Sequence, residues 1–165
     1  MSICIYIQVP CFISAVLQCP LLAAIFAKDE QFLVLTANGP ALAAVFPKLL
    51  SLCHVAEEDH PRFLVDGCES LPGFEAVAQA KQVDVAKVQP HVVALVKRRV
   101  QANPRIRAVL LECTELPPYA DAIRHETGLL VLDVITLIDY FHAAVSPNPY
   151  FGIDWQQLAD TTARA

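Results

Sequence analysis

A chain of 165 residues is long enough for one domain around a single buried core and too short for two of ordinary size. Hydrophobic residues make up 55% and charged residues 18%, which excludes a disordered chain and calls for deep burial or a partner. With a net charge of −5 and scattered Lys and Arg, no basic face is present for a phosphate backbone, so nucleic-acid binding is excluded as well.

The first 27 residues carry no charge. A signal peptide needs a basic region ahead of its apolar stretch, and none is present. A spanning helix would contain Pro10 and Pro20, each removing a backbone hydrogen bond where lipid offers no replacement. The expectation is therefore a short strand over residues 3–7, an apolar extension over 9–13 and a helix beginning near Ser14, which caps it, with no membrane association. Six cysteines, Cys4, Cys11, Cys19, Cys53, Cys68 and Cys113, are irregularly spaced and include no CxxC pair. Such cysteines read as reduced thiols of a cytoplasmic protein. The five histidines show no ligand spacing, so no metal site is expected.

From there the chain alternates. "FLVLTA" (32–37) is an apolar run of strand length, and "NGPALAAVFPKLLSLC" (38–53) follows with turn residues, a proline near a helix start and helical spacing. "RFLVDG" (62–67) repeats the strand signal, and "GFEAVAQAKQ" supplies a short helix. Asp84 caps a longer helix over 85–102, with Val85, Val88, Val92, Val93, Leu95, Val96 and Val100 on its buried side and a kink expected at Pro90. "IRAVLLE" (106–112) is a third strand, Pro117-Pro118 open a helix that Gly128 closes, "LLVLD" (129–133) is a fourth strand, and a last helix runs to about Ala144. Apolar strands separated by helices mean an α/β domain with a parallel sheet and flanking helices.

In such a sheet, ligands bind beyond the carboxyl ends of the strands. The loops there contain Thr36-Ala37-Asn38-Gly39, Asp66-Gly67-Cys68-Glu69-Ser70, Cys113-Thr114-Glu115 and Asp133. GxGxxG, GxxxxGK[ST] and GxSxG are absent, so neither a nucleotide cradle nor a serine-hydrolase elbow is indicated. No cofactor is expected. Asp133 reads as a helix cap, the Cys68-Glu69 loop as a surface turn, and Lys97-Arg98-Arg99 as the solvated end of a helix.

The stretch "LLECTELPPYADAIRHETGLLVLD" resembles the second cysteine motif of the aspartate/glutamate racemase superfamily, in which a strand ends in Glu-Cys-Thr before a proline-started helix. "VPCFISAVLQCPLL", "FLVLTANGPAL" and "VDGCESLPGFEAV" resemble the neighbouring segments of the same family, so the resemblance runs from about Val9 to Ala144. It implies a flavodoxin-like lobe and a cofactor-independent racemase or isomerase acting on amino acids through cysteine-mediated proton transfer at the carbon α to a carboxylate. Cys113 would be the acid/base. Thr114, Thr36, Ser14, Glu115 and Asn38 would bind a small carboxylate or amino-acid substrate, and Glu112 and Glu115 would face away from the thiol or meet a substrate amine or neighbouring base. The helix start behind Cys113 would favour its thiolate.

That family has two lobes, each supplying a cysteine, and only eight residues precede "VPCFIS". The resemblance therefore divides the chain into an inter-lobe strand and helix (1–30), a second lobe (31–146) and a C-terminal tail (147–165), with the first lobe largely missing. Two other readings stand beside the racemase: a decarboxylase-like carbon-acid enzyme that uses one cysteine, and a non-catalytic remnant or binding module. The uncharged N-terminal segment predicts a homo-oligomer.

Overall fold

The computed structural model describes residues 14–146. The strand and extension expected over 3–13, with Cys4 and Cys11, and the tail over 147–165 lie outside the described residues. Ser14 starts the described chain as the cap of a 3-10 turn, Ala15–Gln18, its hydroxyl oxygen accepting from the Val16 amide at 3.2 Å. The first helix, α1 (Cys19–Ile25), follows directly.

Then come β1 (Gln31–Thr36), α2 (Gly39–Leu52), β2 (Phe63–Gly67), the single turn α3 (Glu75–Ala78), α4 (Val85–Ala102), β3 (Ile106–Leu111), α5 (Ala120–Thr127), β4 (Leu130–Leu132) and α6 (Val134–Val145). The four strands form one parallel sheet in the order β2-β1-β3-β4. This is an α/β, flavodoxin-like arrangement, with β1 and β3 at the centre and the chain reversing its direction of winding after β2.

Side chains of the central strands alternate between two apolar layers, as the period of two requires. Leu33, Leu35, Val109 and Leu111 pack with Val88, Val92, Leu95 and Val96 of α4 and Ile123 of α5. Phe32, Val34, Ala108 and Leu110 pack on the other side with Val16, Cys19, Leu22, Leu42, Phe46 and Leu50. The Ser14–Gln18 turn and α1 thus belong to the same core layer as α2.

Helix ends follow local chemistry. Asn38 caps α2 through the Ala41 amide, Asp84 caps α4 through the Lys87 amide, and Gly128, at φ 68°, ends α5. Asp133 forms a full capping box with Thr136 at α6, so its expected role as a cap holds.

Three expectations need correction. Val85 is 38% exposed, because it is the first residue of α4 and lies beyond the reach of the sheet; Val100 is only half-buried against the core. The Pro117-Pro118 pair does not open α5 itself but a 3-10 turn, Pro117–Tyr119, and α5 begins at Ala120. The Cys68 loop is not a plain surface turn, since Cys68 is fully buried while Glu69 beside it is exposed. Pro90 lies inside α4, which continues through it, and no helix among the described residues is long and apolar enough to cross a membrane.

The amino end of the sheet is closed by Arg62. Its side chain is 6% exposed and donates from Nε to the Glu30 carbonyl, from Nη1 to the Ala23 carbonyl and Asp59 Oδ1, and from Nη2 to the Phe26 and Ala27 carbonyls, while lying 4.9 Å from the Phe32 ring centroid. All five N–H groups are used. The buried Asp59 also receives Lys28 Nζ at 2.8 Å, and these donors, Lys28 first, hold its carboxyl below the ordinary carboxylate range.

Candidate active site at the carboxyl edge

The two central strands finish side by side. The Glu112 amide donates to the Leu35 carbonyl at 2.8 Å, and the Cys68 amide to the Thr36 carbonyl at 2.9 Å. Strand alternation turns Thr36 and Glu112 to the α1/α2 face and returns Cys113 toward the α4/α5 face, where it packs against that core. One residue at the end of β3 therefore decides which side of the sheet the carboxylate and the thiol occupy.

Above this edge lies an open cleft of about 660 Å³, lined by Ser14, Thr36, Asn38, Glu112, Cys113 and Thr114, with apolar walls from Ala15, Ala37, Leu42, Val45 and Val134. Five of the six expected site residues meet here: Cys113, Thr114, Thr36, Ser14 and Asn38. The sixth, Glu115, lines a separate cavity with Val83 and Pro118. A further cleft between α4 and α5, lined by Val93, Lys97 and His125, holds none of them.

The buried Thr36 hydroxyl donates to Glu112 Oε2 at 2.8 Å. Its proton is thus engaged by a carboxylate. Asn38 Oδ1 accepts the Ala41 amide at 3.0 Å, and Ser14 serves the Val16 amide as an acceptor, its hydroxyl proton being outside that bond. The Glu112 side chain leaves the strand on the face opposite to that of the thiol, and its pairing with Thr36 holds the carboxylate in the cleft wall.

Cys113 is half-buried, and burial pushes its thiol pKa upward. The nearby backbone amides of Glu115 and Ala37 oppose that rise, while the charges of Glu112 and Glu115 add to it. The anion-stabilising groups are therefore two loop amides, not the start of α5, because the turn at Leu116 and the 3-10 turn separate the thiol from that helix. Sequence reading missed the Ala37 amide, since a backbone donor from another strand has no residue-type signature. The Glu115 amide, two residues past Cys113 in a tight turn, is the one such donor whose position the local sequence signals.

A close backbone contact shapes the neighbouring loops. A Cβ on Gly39 would lie 2.8 Å from the Gly67 nitrogen, so glycine lets the loops after β1 and β2 approach this closely. The exposed Glu69 carboxylate then accepts the Gly39 amide at 2.9 Å at the start of α2. Deeper in, Gln18 is buried and donates to the Asp133 carbonyl at 2.8 Å while accepting from the Thr136 hydroxyl at 3.3 Å. It fixes the start of α6, and with it Val134, against the turn that begins at Ser14. Among the described residues, no group of three or more His, Cys, Asp or Glu side chains is placed to hold a metal ion.

The fold and site define a class: a parallel α/β sheet whose central strands deliver a thiol and a carboxylate to one cleft at their carboxyl edge. Comparison with known proteins narrows it. The chain is similar to dimethylsulfoniopropionate lyase 5 of Emiliania huxleyi, with 58% identity over 151 residues, covering 91% of this chain and 30% of that protein. It is similar to dimethylsulfoniopropionate lyase 7 of the same alga, with 44% identity over 150 residues, covering 88% and 43%. A dimethylsulfoniopropionate lyase of Durusdinium sp. clade D shares 34% over 157 residues, covering 94% and 52%. The chain thus spans between about a third and a half of the length of these relatives. No family model matches, and no solved structure matches.

These names overturn the expected assignment to the aspartate/glutamate racemase superfamily and the racemase or isomerase activity drawn from it. The similar proteins are named as lyases, which break a bond by elimination rather than invert a carbon centre. The alternative of a one-cysteine, decarboxylase-like carbon-acid enzyme stands nearer to them.

Proposed function

We propose that this chain carries a lyase site that eliminates a sulfide from dimethylsulfoniopropionate, with Cys113 as the base. The observation that carries the reading is the Cys113 thiol sharing one cleft with the Glu112 carboxylate, with the Glu115 and Ala37 amides nearby. The substrate class comes from the names of the relatives.

The chemistry follows from the substrate's structure. Dimethylsulfoniopropionate bears a carboxylate, an α-carbon, a β-carbon and a dimethylsulfonium group. Cys113 as thiolate takes one α-proton; the electron pair of that C–H bond becomes the α,β double bond; the β-carbon to sulfur bond breaks and its pair leaves with sulfur. The products are neutral dimethyl sulfide, acrylate and a protonated thiol, so charge and atoms balance without a cofactor or oxidant.

Glu112 suits the cationic end. Two opposite charges 4 Å apart attract by about 1 kcal/mol in bulk water and about 4 kcal/mol at the effective dielectric of a protein surface. The apolar walls from Ala15, Leu42, Val45 and Val134 suit the S-methyl groups. Thr114 and Ser14 offer hydroxyl donors for the substrate carboxylate. Burial raises the Cys113 thiol pKa, and a cation bound within about 4–6 Å lowers it, since an opposite charge favours the ionised form. Formation of the base is thereby linked to occupancy by the right substrate. The free thiols of Cys19, Cys53, Cys68 and Cys113 support a reducing, cytoplasmic setting for this chemistry.

The test is incubation of the chain with dimethylsulfoniopropionate, reading dimethyl sulfide by headspace gas chromatography and acrylate by its ultraviolet absorbance. Equimolar release of both by the wild type, abolished in Cys113→Ser, is the expected result. Equal release by wild type and Cys113→Ser would remove the thiol from the mechanism. No release by the wild type, with no α-proton exchange in D2O, would remove the assignment to this chain.

A further inference from the structure

β1 ends at Thr36 and α2 begins at Gly39, so Ala37 and Asn38 alone connect them. A connection this short passes a change at either end to both residues, and both line the cleft with Cys113. The loop after β2 holds it at each end. The Cys68 amide donates to the Thr36 carbonyl at 2.9 Å, a backbone bond that survives a change of side chain. At the other end the Gly39 amide donates to Glu69 Oε2 at 2.9 Å. The start of α2 shows why that carboxylate is needed. Pro40 has no N–H, the Ala41 amide goes to Asn38 Oδ1 and the Leu42 amide to the Asn38 carbonyl. The amide of the buried Gly39 is left, and Glu69 takes it. Packing leaves this contact little room, since a Cβ on Gly67 would run into both the Glu69 carboxylate and the Gly39 nitrogen.

We infer that Glu69 is a positioning residue for the thiol: its carboxylate fixes the Asn38-Gly39 peptide and through it keeps the Ala37 amide near Cys113. Ala37 and Cys113 pack against the same core layer, and the bond from the Glu112 amide to the Leu35 carbonyl runs their two segments side by side. Without Glu69 the Gly39 amide loses its acceptor and turns toward water, and rotation of that peptide carries Ala37 with it. The Ala37 amide opposes the rise that burial imposes on the thiol pKa, so its departure lets that pKa climb further. The sign is diagnostic, because removal of a negative charge by itself lowers a thiol pKa. The other groups around the thiol keep the reading clean. Glu112 and Glu115 flank it, with Lys81 lining the Glu115 cavity and Asp66 paired to Arg99. Cys68 and Tyr119 share its core layer, and burial pushes the first to about 12 and the second upward. The α4 and α5 side chains of that layer, among them Val88, Val92 and Ile123, are apolar. The consequence for turnover rests on the reading of Cys113 as the base.

Iodoacetamide alkylation of the full chain titrates the thiol without substrate. It is followed from about pH 7 to 10 by mass spectrometry of the tryptic peptide over residues 108–124, whose one cysteine is Cys113. Wild type is compared with Glu69→Ala and Glu69→Gln, each checked for native far-UV circular dichroism. Glu69→Asp, which keeps the charge and draws the oxygens back by one methylene, replaces Glu69→Ala if that variant does not fold. The rate curve is expected to move up by about one pH unit in Glu69→Ala, or about tenfold slower alkylation at a given pH below the midpoint. Glu69→Gln retains an acceptor oxygen and is expected to stay within about 0.3 unit of wild type. Release of dimethyl sulfide near neutral pH should then fall about tenfold in Glu69→Ala and recover at high pH, with KM within about twofold. A curve that is unmoved or moves down in Glu69→Ala or its Asp replacement, or that moves up equally in Glu69→Gln, would overturn the inference. The alkylation curves decide it even where the wild type releases no dimethyl sulfide, a result that counts against the lyase reading alone.

Discussion

The two ends of the sheet are built from similar charged residues to opposite purposes. At the amino end, Arg62 spends five N–H groups on four carbonyls and Asp59, and Lys28 completes the set. At the carboxyl end, Glu112 accepts one hydrogen bond from the Thr36 hydroxyl and the Cys113 thiol has two loop amides nearby, and both groups line an open cleft. A saturated network is a fastener. A partly satisfied one beside a cavity retains capacity for a ligand, and that difference is visible only when partners are counted at both ends.

The largest expected effect lies at the carboxyl end. Cys113→Ala should lower dimethyl sulfide release by about 10² to 10⁴-fold, the range for loss of a general base, with little change in the urea midpoint. At the amino end the pattern should reverse: Arg62→Met should cost about 3–5 kcal/mol of stability in urea unfolding, because it leaves four carbonyls without their donor and takes from the buried Asp59 one of its two cationic partners, while folded protein keeps its turnover. A variant that moved both readouts equally would erase the contrast between the two ends.

The thiols and Asp59 give this comparison a pH dependence. Burial pushes the Cys68 thiol to about 12 and that of Cys19 higher still. Both groups have raised folded-state pKa values, so their contribution is complete below the unfolded thiol value and is lost as pH rises above it. Unfolding should become easier above about pH 8.5, by about 1.4 kcal/mol per thiol per pH unit. Asp59 works with the opposite sign. Its folded value is depressed, so its contribution is present above the unfolded carboxylate value of about 3.9 and is lost as pH falls below it. Chemical denaturation from pH 3 to 10 checks both limbs. Turnover should rise with pH through the elevated range of Cys113.

Smaller effects sharpen the site. Glu112→Gln should lower kcat/KM by about tenfold, near 1.4 kcal/mol, chiefly through KM, since it removes attraction for the sulfonium and leaves the thiol in place. Asp133→Ala should cost about 1 kcal/mol through loss of the α6 cap, read as a shifted thermal midpoint with a modest change in turnover.

Much of the fold was legible in the residues. The runs 32–37, 62–67 and 106–112 announced strands because they are apolar and short, and Asn38, Asp84, Asp133 and Gly128 marked helix ends because each has a distinct backbone chemistry. The α5 start was misplaced by three residues, since two prolines suit a 3-10 turn as well as a first helical turn. Of the five proposed site residues that reach one cleft, Thr36, Asn38, Cys113 and Thr114 do so because parallel strands deliver their carboxyl ends and following loops to the same edge, and Ser14 arrives there with the 3-10 turn. The racemase assignment did not stand, because the similar proteins are named as lyases and a Cys-Thr pair at a strand end does not by itself specify a reaction.

What the sequence determined alone is the alternation of strand and helix, the capping residues and the arrival of a thiol at the end of a central strand, all consequences of local pattern. What the tertiary structure decided is which groups meet: Thr36 with Glu112 across 76 positions, the Ala37 amide with Cys113, and Arg62 with the carbonyls that follow α1. Those meetings depend on strand order and register, and register is set by packing both faces of the sheet at once.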